Sequence, residues 1–450
     1  MHEYVRRIAF ISEHASPAAS LGGEDAGGQN VYVDDLSRHL SRLGYAVDIF
    51  TRRTSPDQPV VLDWAPGVRI VYLDAGRPSP LPKDQLWPWM PDLRDAFLRF
   101  LAENRAWYDV IHAHFWMSGW VAIELKRRLG IPVVQTFHAL GQTKRRHQGE
   151  ADTSPPARLV IERAIVQRAD RLIAQCPSER RELMHDYDAN SAQLTMVPAG
   201  VDTELFHPVD QATARHKLGL GTAERVVVYV GRILPRKDVR NVLQALALLI
   251  RTNGQPVRLL VVGGETPEPD PQATPELGTL QQLAAELGIA EHVTFTGRRP
   301  RSELAWYYGA ADVAVTTPWY EPFGLTPLEA MACGRAVIGS AVGGIAFTVQ
   351  PGVTGFLVPP RDPEALARRL VQLLAASELR ARMGQAARLR VEREFTWERT
   401  ARRMASVYEE VLRETGMPPY EAGADGRAHR PSTVHRQPSV ARWRIYHGVR

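Results

Sequence analysis

The sequence predicts two α/β domains, each built on a parallel sheet. Short apolar segments of strand length alternate with helical patterns along the whole chain, which is typical of parallel sheets flanked by helices. The chain has 450 residues, which is too long for one hydrophobic core and sufficient for two domains with an appendage. We therefore expect two Rossmann-like domains that face one another across an inter-domain cleft.

In the first half of the chain, seven segments have the length and apolar content of strands. They cover residues 7–12, 46–51, 68–73, 110–114, 133–136, 171–175 and 194–197. Helical patterns fall between them, as in residues 31–43, where Val33 and Leu36 share one face and Gly44 marks the end. The first domain is predicted to span residues 1–200.

The second half of the chain shows the same alternation of strands and helices, with six apolar segments of strand length. They cover residues 226–230, 258–262, 293–296, 313–316, 336–340 and 355–358. Turn residues at 198–202 separate the halves, a helix is expected to begin near Asp210, and the second domain is predicted to span residues 201–395. Because ligands of open α/β sheets gather at the carboxyl ends of the strands, the substrates are expected on the loops that line the cleft.

Composition narrows the class of protein further. With 44% hydrophobic and 23% charged residues, the chain is typical of globular proteins and unlike disordered, collagen-like or coiled-coil proteins. No apolar stretch approaches the roughly 20 residues of a membrane span, and residues 1–7 lack the apolar core of a secretory signal. The only two cysteines, Cys176 and Cys333, are expected in the core and suit a reducing compartment. The predicted location is cytoplasmic.

The formal charge of +5 is concentrated at the end of the chain. Residues 416–450 carry six arginines against Glu421 and Asp425, a net charge of +4, which leaves +1 for the rest of the chain. A nearly neutral body does not predict a nucleic-acid partner. The tail is rich in Pro, Gly, Ser and His and is predicted to be largely disordered, with contact to an anionic surface or partner as the alternative.

A polar motif follows the predicted strand at 313–316. Glu321 lies in the loop, Glu329 lies inside the next predicted helix, and the amides of Leu325 and Thr326 lie at the N-terminus of that helix. A helix N-terminus can bind a diphosphate through its amides and its dipole. The two carboxylates would accept hydrogen bonds from hydroxyls on two parts of one extended ligand, such as a sugar. The alternative interpretation is a capping carboxylate and a surface carboxylate.

Residues 231–237 follow the strand at 226–230 in the same position. Arg232 and Lys237 could reach one phosphate group. The guanidinium would donate two parallel hydrogen bonds and the ammonium would act as a point charge. Each cation is worth about 4 kcal/mol against a full charge at about 4 Å and an effective dielectric of about 20. That is the scale of stabilisation that a departing pyrophosphate needs. The alternative is that both are solvated surface side chains.

Two further features lie in the first half. The glycine-rich turn at 22–30 can bring backbone close to a ligand, but it matches neither the nicotinamide-nucleotide nor the P-loop pattern. His112 and His114 face the same way on one strand, but no third ligand has suitable spacing, so no metal site is predicted. His138 follows the strand at 133–136, a position where a lone histidine is more often structural.

Together these segments resemble the retaining GT-B glycosyltransferases of family 4 over residues 5–415. The resemblance depends on the Glu-x7-Glu pattern of Glu321 and Glu329, on Arg232 and Lys237 upstream, and on the link at 197–202. It implies that Arg232 and Lys237 hold the diphosphate of a nucleotide sugar, that Glu329 holds its ribose, and that Glu321 holds its hexose. Further donor contacts are implied for Gly28, Phe323, Gly324, Leu325 and Thr326, and a position beside the reaction centre for His138. The last helix, at 396–415, would cross back onto the first domain.

The first half is most similar to the sucrose-phosphate synthase and inositol-phosphate glycosyltransferase branch, on residues 14–17, 25–33 and 109–119. In that branch the acceptor is a phosphorylated sugar or cyclitol. The resemblance implies that Lys83, Lys144 and Arg158 hold its phosphate and that Gly27, Gln29 and Asn30 also bind the acceptor. Three cations on different loops would surround a dianion.

Some positions depart from the patterns of this branch. Phe115 and Ala139 stand where the inositol-phosphate enzymes generally carry Tyr and Thr, so two expected phosphate or hydroxyl contacts are missing. Gln29 and Lys144 are more similar to the sucrose-phosphate synthases. Asp238 stands where Gly or Asn is usual and adds a negative charge beside Lys237.

The resulting prediction is a retaining enzyme that moves a hexose from a UDP-, ADP- or GDP-linked sugar to a sugar phosphate or related polyol. Glucose is the expected hexose. The nucleotide sugar is a co-substrate and no cofactor is predicted; magnesium is compatible with this chemistry but not implied. Two alternatives stay open. One is a UDP-sugar epimerase of the same fold, which has no acceptor for Lys83, Lys144 and Arg158 to bind. The other is a sugar-nucleotide-binding protein without transferase activity.

Overall fold

Two sheets, one in each half of the chain, organise the computed structural model. It describes residues 5–19, 27–253, 257–416, 421–422 and 428–429. Positions 22–26 of the glycine-rich turn therefore lie outside the described residues, as does most of the tail that is predicted to be disordered. Within that tail, the described residues include one short antiparallel pair, Glu421–Ala422 with Ala428–His429.

Eight strands form the N-terminal sheet. They are β1 (Arg7–Ile11), β2 (Ala46–Arg52), β3 (Val61–Ala65), β4 (Val68–Leu73), β5 (Val110–His114), β6 (Val133–Thr136), β7 (Arg171–Ala174) and β8 (Leu194–Met196). Their order is β3-β4-β2-β1-β5-β6-β7-β8, and all neighbours are parallel except β3 and β4. The flanking helices are α1 (Gly28–Arg42), α2 (Met90–Asn104), α3 (Trp116–Leu129), α4 (Gly141–Gln148), α5 (Arg158–Arg168) and α6 (Pro177–Asp186). Because the strand order reverses between β1 and β5, a crevice opens at their carboxyl ends.

The second sheet has six parallel strands. In the described part of the second half, helix α7 (Gln211–Lys217) comes first and is followed by β9 (Arg225–Val230), α8 (Val239–Asn253), β10 (Val257–Val262), α9 (Pro275–Glu286), β11 (Val293–Gly297), α10 (Arg301–Ala310), β12 (Val313–Thr316), α11 (Leu325–Ala332), β13 (Val337–Ser340), α12 (Ile345–Thr348), β14 (Gly355–Val358), α13 (Pro363–Ala375), α14 (Ser377–Glu394) and α15 (Trp397–Glu414). The strand order is β11-β10-β9-β12-β13-β14. Its reversal lies between β9 and β12, so these strands end at the second crevice.

All thirteen predicted strands are present, with ends that differ by one residue at most. Strand β3 was not predicted, because it is a half-exposed edge strand that carries Asp63 and lacks a continuous apolar run. Helix α1 begins at Gly28 and not at the predicted Val31. The Asn30 side chain accepts a hydrogen bond from the Gly27 amide at 2.9 Å, which caps the helix three residues earlier.

Both faces of the central strands are buried, as parallel sheets require. In β1, Ile8 and Phe10 pack in one apolar layer, and Ala9 and Ile11 pack in another. The predicted core positions of the two cysteines are confirmed, because both thiols are buried. Among the described residues, every helix is either too short or too polar to cross a bilayer.

The chain passes between the two sheets twice, and the two crossings are hydrogen-bonded to each other. The Val201 amide donates to the Phe395 carbonyl at 2.8 Å, and Val201 pairs with Thr396 as in a parallel sheet. The approach is close, since a Cβ on Gly200 would lie 2.6 Å from the carbonyl carbon of Thr396. This double crossing is the covalent connection between the two domains, and we refer to it as the hinge.

After the second crossing, α15 lies on the N-terminal sheet and packs against α1. Arg171 on β7 donates to Glu414 at 2.7 Å, and Arg6 before β1 donates to Glu409 at 3.3 Å. The hydroxyl of Tyr408 lies 2.7 Å from Nδ1 of the buried His112. The last helix therefore returns to the domain in which the chain begins.

Candidate active site

The two sheets meet at a cleft of about 1120 Å³. It lies at the carboxyl ends of β1 and β5 on one side and of β9 and β12 on the other. Every predicted site residue lines it: Gly27, Gly28, Gln29, Asn30, Lys83, His138, Lys144, Arg158, Arg232, Lys237, Glu321, Phe323, Gly324, Leu325, Thr326 and Glu329. The fold thus gathers residues from both halves of the chain around one space, while their individual roles stay predictions.

Two helix N-termini face each other across the cleft. Helix α1 starts at Gly28 and α11 at Leu325, and a Cβ on Gly28 would lie 3.8 Å from Leu325 Cδ1. The amides of both first turns lack helical partners, and both dipoles are positive at this end. A Cβ on Gly27 would lie 3.2 Å from Arg232 Nε, so this guanidinium also lies at the start of α1. Such a concentration of donors is suited to a diphosphate.

Lys237 and Glu321 form an ion pair on the C-terminal side of the cleft. Their side chains are only 16% and 13% exposed. Burial lowers the pKa of Lys237 to about 8, although the charge of Glu321 opposes this. Burial would raise the pKa of Glu321, but the charges of Lys237, Arg236 and Arg232 together lower it. At neutral pH both partners are therefore predominantly charged.

Glycines shape the loop that carries Glu321. Gly324 has a φ of 88°, in the left-handed region that favours glycine, and it turns the chain into α11. Gly343 has a φ of 45° and approaches the Glu321 carbonyl so closely that a Cβ would overlap it. The Gly344 amide donates to that same carbonyl at 3.2 Å. The carbonyl of Glu321 is therefore held against the turn formed by Gly343 and Gly344.

Glu329 is buried at the wall of the cleft. It accepts a hydrogen bond from the Tyr308 hydroxyl at 3.1 Å. Burial raises the pKa of Glu329, and the charge of Arg301 opposes this. Arg301 also donates to Asp35 of α1 at 3.2 Å, which links the two domains beside Glu329.

His138 belongs to a buried group of aromatic rings in the N-terminal domain. Its Nε2 lies 3.1 Å from His114 Nδ1, and its Nδ1 accepts from the Gln175 amide at 3.4 Å. The His112 and His114 rings lie 4.2 Å apart, on the same face as predicted. Burial lowers the pKa of His138 to about 3 and lowers the pKa of His112 and His114 well below 6.5. All three imidazoles are therefore neutral at physiological pH.

We predict that the stability of the protein decreases as the pH falls below about 6.5, the ordinary pKa of histidine. Because burial lowers the pKa of these three histidines only in the folded protein, the unfolded chain binds protons there that the folded protein does not. Each such histidine lowers the free energy of unfolding by about 1.4 kcal/mol per pH unit. His114→Asn should therefore reduce the pH dependence by that amount in urea unfolding between about pH 6 and 5.

Tyr408→Phe is the control for this comparison. It removes the hydroxyl that lies 2.7 Å from His112 but no group that titrates in acid, so it should lower stability without changing the pH dependence. Burial raises the pKa of Glu179 to about 8, which acts in the opposite direction because the folded protein keeps that proton. Glu179 is common to all three proteins and cancels. Equal pH dependence in the wild type and His114→Asn would contradict the prediction.

Arg158 is buried on the acceptor side of the cleft and makes its hydrogen bonds within the N-terminal domain. It donates to Glu162 at 2.8 Å and to the carbonyl of Ala139 at 2.7 Å. Its guanidinium lies 5.1 Å from the centre of the Phe115 ring. The two positions that depart from the inositol-phosphate pattern, Phe115 and Ala139, therefore still contact Arg158, one through its ring and the other through its main chain.

Lys144 is surrounded by oxygen atoms. Its Nζ lies 3.0 Å from Asp152 Oδ1, 3.0 Å from Ser154 Oγ and 3.5 Å from Asp84 Oδ2. Lys83 starts the short 3-10 turn that also carries Asp84. This side of the cleft thus combines cations with carboxylates and can bind both a phosphate and hydroxyl groups.

The unusual Asp238 has a structural explanation. Its φ is 56°, in the left-handed region that Gly and Asn occupy most readily. Burial raises the pKa of its carboxyl group. The position therefore requires the backbone conformation that the usual residues favour, and Asp adopts it here.

Several cleft residues were not predicted. Arg298 and Arg301 follow β11 at the edge where Arg232 follows β9, so the position of charged residues after strands could have identified them. Tyr320 directly precedes Glu321 and carries no such signal. Among the described residues, no group of three His, Cys, Asp or Glu side chains is placed to hold a metal ion.

Comparison with known families assigns both halves of the chain. Residues 26–205 match the model of glycosyltransferase family 4, and residues 210–390 match the model of glycosyl transferases group 1. The chain is 40% identical over 417 residues to a D-inositol 3-phosphate glycosyltransferase of Thermobispora bispora, covering 91% of this chain and 95% of the relative. It is 39% identical to the protein of the same name from Acidothermus cellulolyticus, over 91% of each chain.

Two solved structures have the same architecture as this chain. A sucrose-phosphate synthase from Thermosynechococcus elongatus superposes with a TM-score of 0.83 at 38% identity, covering 91% of this chain and 100% of that one. HepE of Anabaena, solved with UDP-glucose, superposes with a TM-score of 0.69 at 20% identity, covering 90% and 99% of the two chains. The chain therefore belongs to the family 4 glycosyltransferases and has their GT-B fold.

Proposed function

We propose that this glycosyltransferase moves a hexose, with glucose as the first candidate, from a nucleotide diphosphate sugar to a sugar phosphate or related polyol. The anomeric configuration of the hexose would be retained. Arg232 and Lys237 would hold the diphosphate, Glu329 the ribose and Glu321 the hexose. The helix N-termini at Gly28 and Leu325 would add their amides. His138 would lie beside the transferred sugar.

The main support for this proposal is the excess of positive charge in the cleft. Among the described residues, ten lysines and arginines line it, against three acidic residues, Asp84, Glu321 and Glu329. The donor diphosphate alone accounts for only part of this positive excess. Lys144 and Arg158 pair with Asp152 and Glu162, and a second anionic substrate would bind at these two cations and Lys83, for which an epimerase has no use. The names of the relatives, each of which includes a phosphorylated compound, favour the same acceptor class.

The arrangement of carboxylates is compatible with a reaction that uses no enzymatic nucleophile, as the proposed retaining mechanism requires. Glu321 is paired with Lys237, and Glu329 accepts from Tyr308. Asp84 accepts from Thr153 and lies 3.5 Å from Lys144. The acceptor hydroxyl would attack from the side of the leaving group and pass its proton to a β-phosphate oxygen as the glycosidic bond breaks. The cations would stabilise the negative charge that develops on the diphosphate.

The test is transfer from UDP-glucose, ADP-glucose, GDP-mannose and UDP-N-acetylglucosamine, each without an acceptor, with fructose 6-phosphate or inositol 3-phosphate, and with unphosphorylated fructose or inositol. Mass spectrometry identifies the product, and NMR of its anomeric proton identifies the configuration. An α-linked sugar phosphate from an α-linked donor supports the proposal. Transfer only to unphosphorylated acceptors would overturn the assignment of Lys83, Lys144 and Arg158. A donor epimer formed without acceptor would favour the epimerase alternative.

We predict that Lys144→Met raises the KM for the phosphorylated acceptor by about 10- to 100-fold, because charge-assisted hydrogen bonds contribute about 1.5–3 kcal/mol. The donor KM should stay within a factor of about two, because Lys144 lies on the N-terminal side of the cleft. Lys126→Met is the matched control, since its ammonium bonds to Asp170 at 2.7 Å, outside the cleft. A proportional increase for the unphosphorylated acceptor would show that Lys144 does not recognise phosphate.

A further inference from the structure

Tyr320 makes a contact between the two domains that the proposed chemistry does not use. It lies in the loop between β12 and α11, yet it is only 8% exposed. Its hydroxyl accepts a hydrogen bond from Gln148 Nε2 at 3.0 Å. Its ring stacks on His147, with centres 5.0 Å apart and planes inclined by 16°. His147 and Gln148 are in the last turn of α4, so a residue of the C-terminal domain is docked on a helix of the N-terminal domain.

The docked face of α4 is also the face that carries Lys144. Residues three and four positions apart lie on the same side of a helix, so Lys144, His147 and Gln148 are neighbours. Lys144 lies in the pocket assigned to the acceptor, between Asp152 and Ser154. One helix therefore holds an acceptor-side cation at its middle and the donor-side loop at its end.

On the other side of the contact, Tyr320 is adjacent to the donor residues. It directly precedes Glu321, which is paired with Lys237. The guanidinium of Arg236, on the loop that carries Arg232 and Lys237, lies 5.3 Å from the centre of the Tyr320 ring. Tyr320 therefore contacts the loop that carries the donor cations and is directly continuous with Glu321.

We propose that Tyr320 is a positioning residue that fixes the acceptor on α4 relative to the donor sugar on the Glu321 loop. This inference rests on the proposed function. Attack from the leaving-group side requires reacting atoms about 3–3.5 Å apart, and a displacement of about 1 Å can cost 10²-fold in rate. Tyr320 sets this distance because it joins the two elements on which the substrates lie. Water can reach the anomeric carbon without being held on α4, so donor hydrolysis does not depend on the contact.

The experiment measures transfer and donor hydrolysis in the same reaction. Tyr320→Phe keeps the ring stacking and removes the hydrogen bond, and should lower kcat for transfer about fivefold. Tyr320→Ala removes both and should lower it about 30-fold or more. In both variants hydrolysis and the donor KM should stay within a factor of about two, so the ratio of transfer to hydrolysis falls by the same factor as kcat. Equal loss of both reactions, or no loss in Tyr320→Ala, would overturn the proposal.

Two further variants separate positioning from folding. Gln148→Leu removes the same hydrogen bond from the other side, so the double variant with Tyr320→Phe should be no worse than either single variant. Additive effects would overturn the proposed contact. Tyr45→Phe is the matched control, because its hydroxyl donates to Glu409 at 3.2 Å on α15, away from the cleft. It should leave the ratio unchanged.

A readout that needs no acceptor distinguishes this inference from the proposed function. Hydrogen exchange of the α4 amides, measured with UDP, ADP or GDP, should slow in the wild type when a nucleotide is bound and should not slow in Tyr320→Ala. If the wild type transfers no hexose but shows this difference, the proposed function fails while the coupling of α4 to the donor loop holds. If transfer occurs but α4 exchange is identical in both proteins, the inference fails alone.

Discussion

Arg232→Ala is expected to lower kcat by about 10²- to 10³-fold, the loss typical of removing one group that stabilises charge in a transition state. Arg232 lies at the end of β9, with its guanidinium close to Gly27 at the start of α1. In the proposed reaction, negative charge grows on the leaving diphosphate at this place. Because this interaction strengthens as the bond breaks, its loss should affect kcat more than the donor KM.

Steady-state and single-turnover kinetics, with whichever donor the transfer assay identifies, measure this effect. Arg240→Ala is the matched control, since this arginine is 44% exposed and pairs with Glu276 at 3.0 Å on the surface. It should leave kcat within a factor of about two. Arg232→Lys keeps the charge but not the fork and should be intermediate. If the Arg232→Ala variant is folded and has the kcat of the wild type, Arg232 does not stabilise charge in the transition state.

Asp312→Ala is expected to lower the free energy of unfolding by about 3–5 kcal/mol, the cost typical of breaking a buried ion pair by removing one partner. Asp312 lies at 3.0 Å from Arg215 and 3.3 Å from Arg380. It also accepts from the Val226 amide at 2.8 Å. Its removal leaves the buried Arg215 without its carboxylate.

Urea unfolding measures this loss. Glu398→Ala is the control, because Glu398 and Arg402 form an exposed pair whose side chains are 64% and 65% accessible, and exposed pairs contribute little to stability. Asp312 precedes β12 at the end away from the cleft, so the kinetic constants of the folded fraction should not change. A loss of stability equal to that of Glu398→Ala would show that the buried network contributes no more than a surface pair.

The sequence was sufficient to predict the sheets and the place of the site, because both follow from local patterns. Strands that are buried on both faces are apolar runs, and only the half-exposed edge strand β3 lacked that signal. Parallel strands end at the same edge, so Arg232 after β9 and Glu321 after β12 had to lie near each other. The same reasoning applied after β11 would have added Arg301.

Contacts between the domains could not be predicted in this way. Gln148 and Tyr320 are 172 positions apart, and Arg301 and Asp35 are 266 apart. Each contact depends on how two separately folded sheets are oriented, and no periodicity of either segment encodes that orientation. The ring partners of His138, His114 on β5 and Tyr32 on α1, lie in the same domain as His138, but the order of the strands that brings them together is not encoded in a local pattern either.

The hinge limits how the domains can move. A body attached through one strand can bend and also twist about that strand. Here two strands cross side by side and are joined by the hydrogen bond between Val201 and Phe395, so a twist would break that bond while a bend about a line across both strands would not. Opening and closing should therefore follow a single rotational coordinate. Because Arg6 and Glu409 hold both ends of the folded body on one domain, fluorescent labels near those ends would not report this rotation, whereas one label on each side of the cleft would.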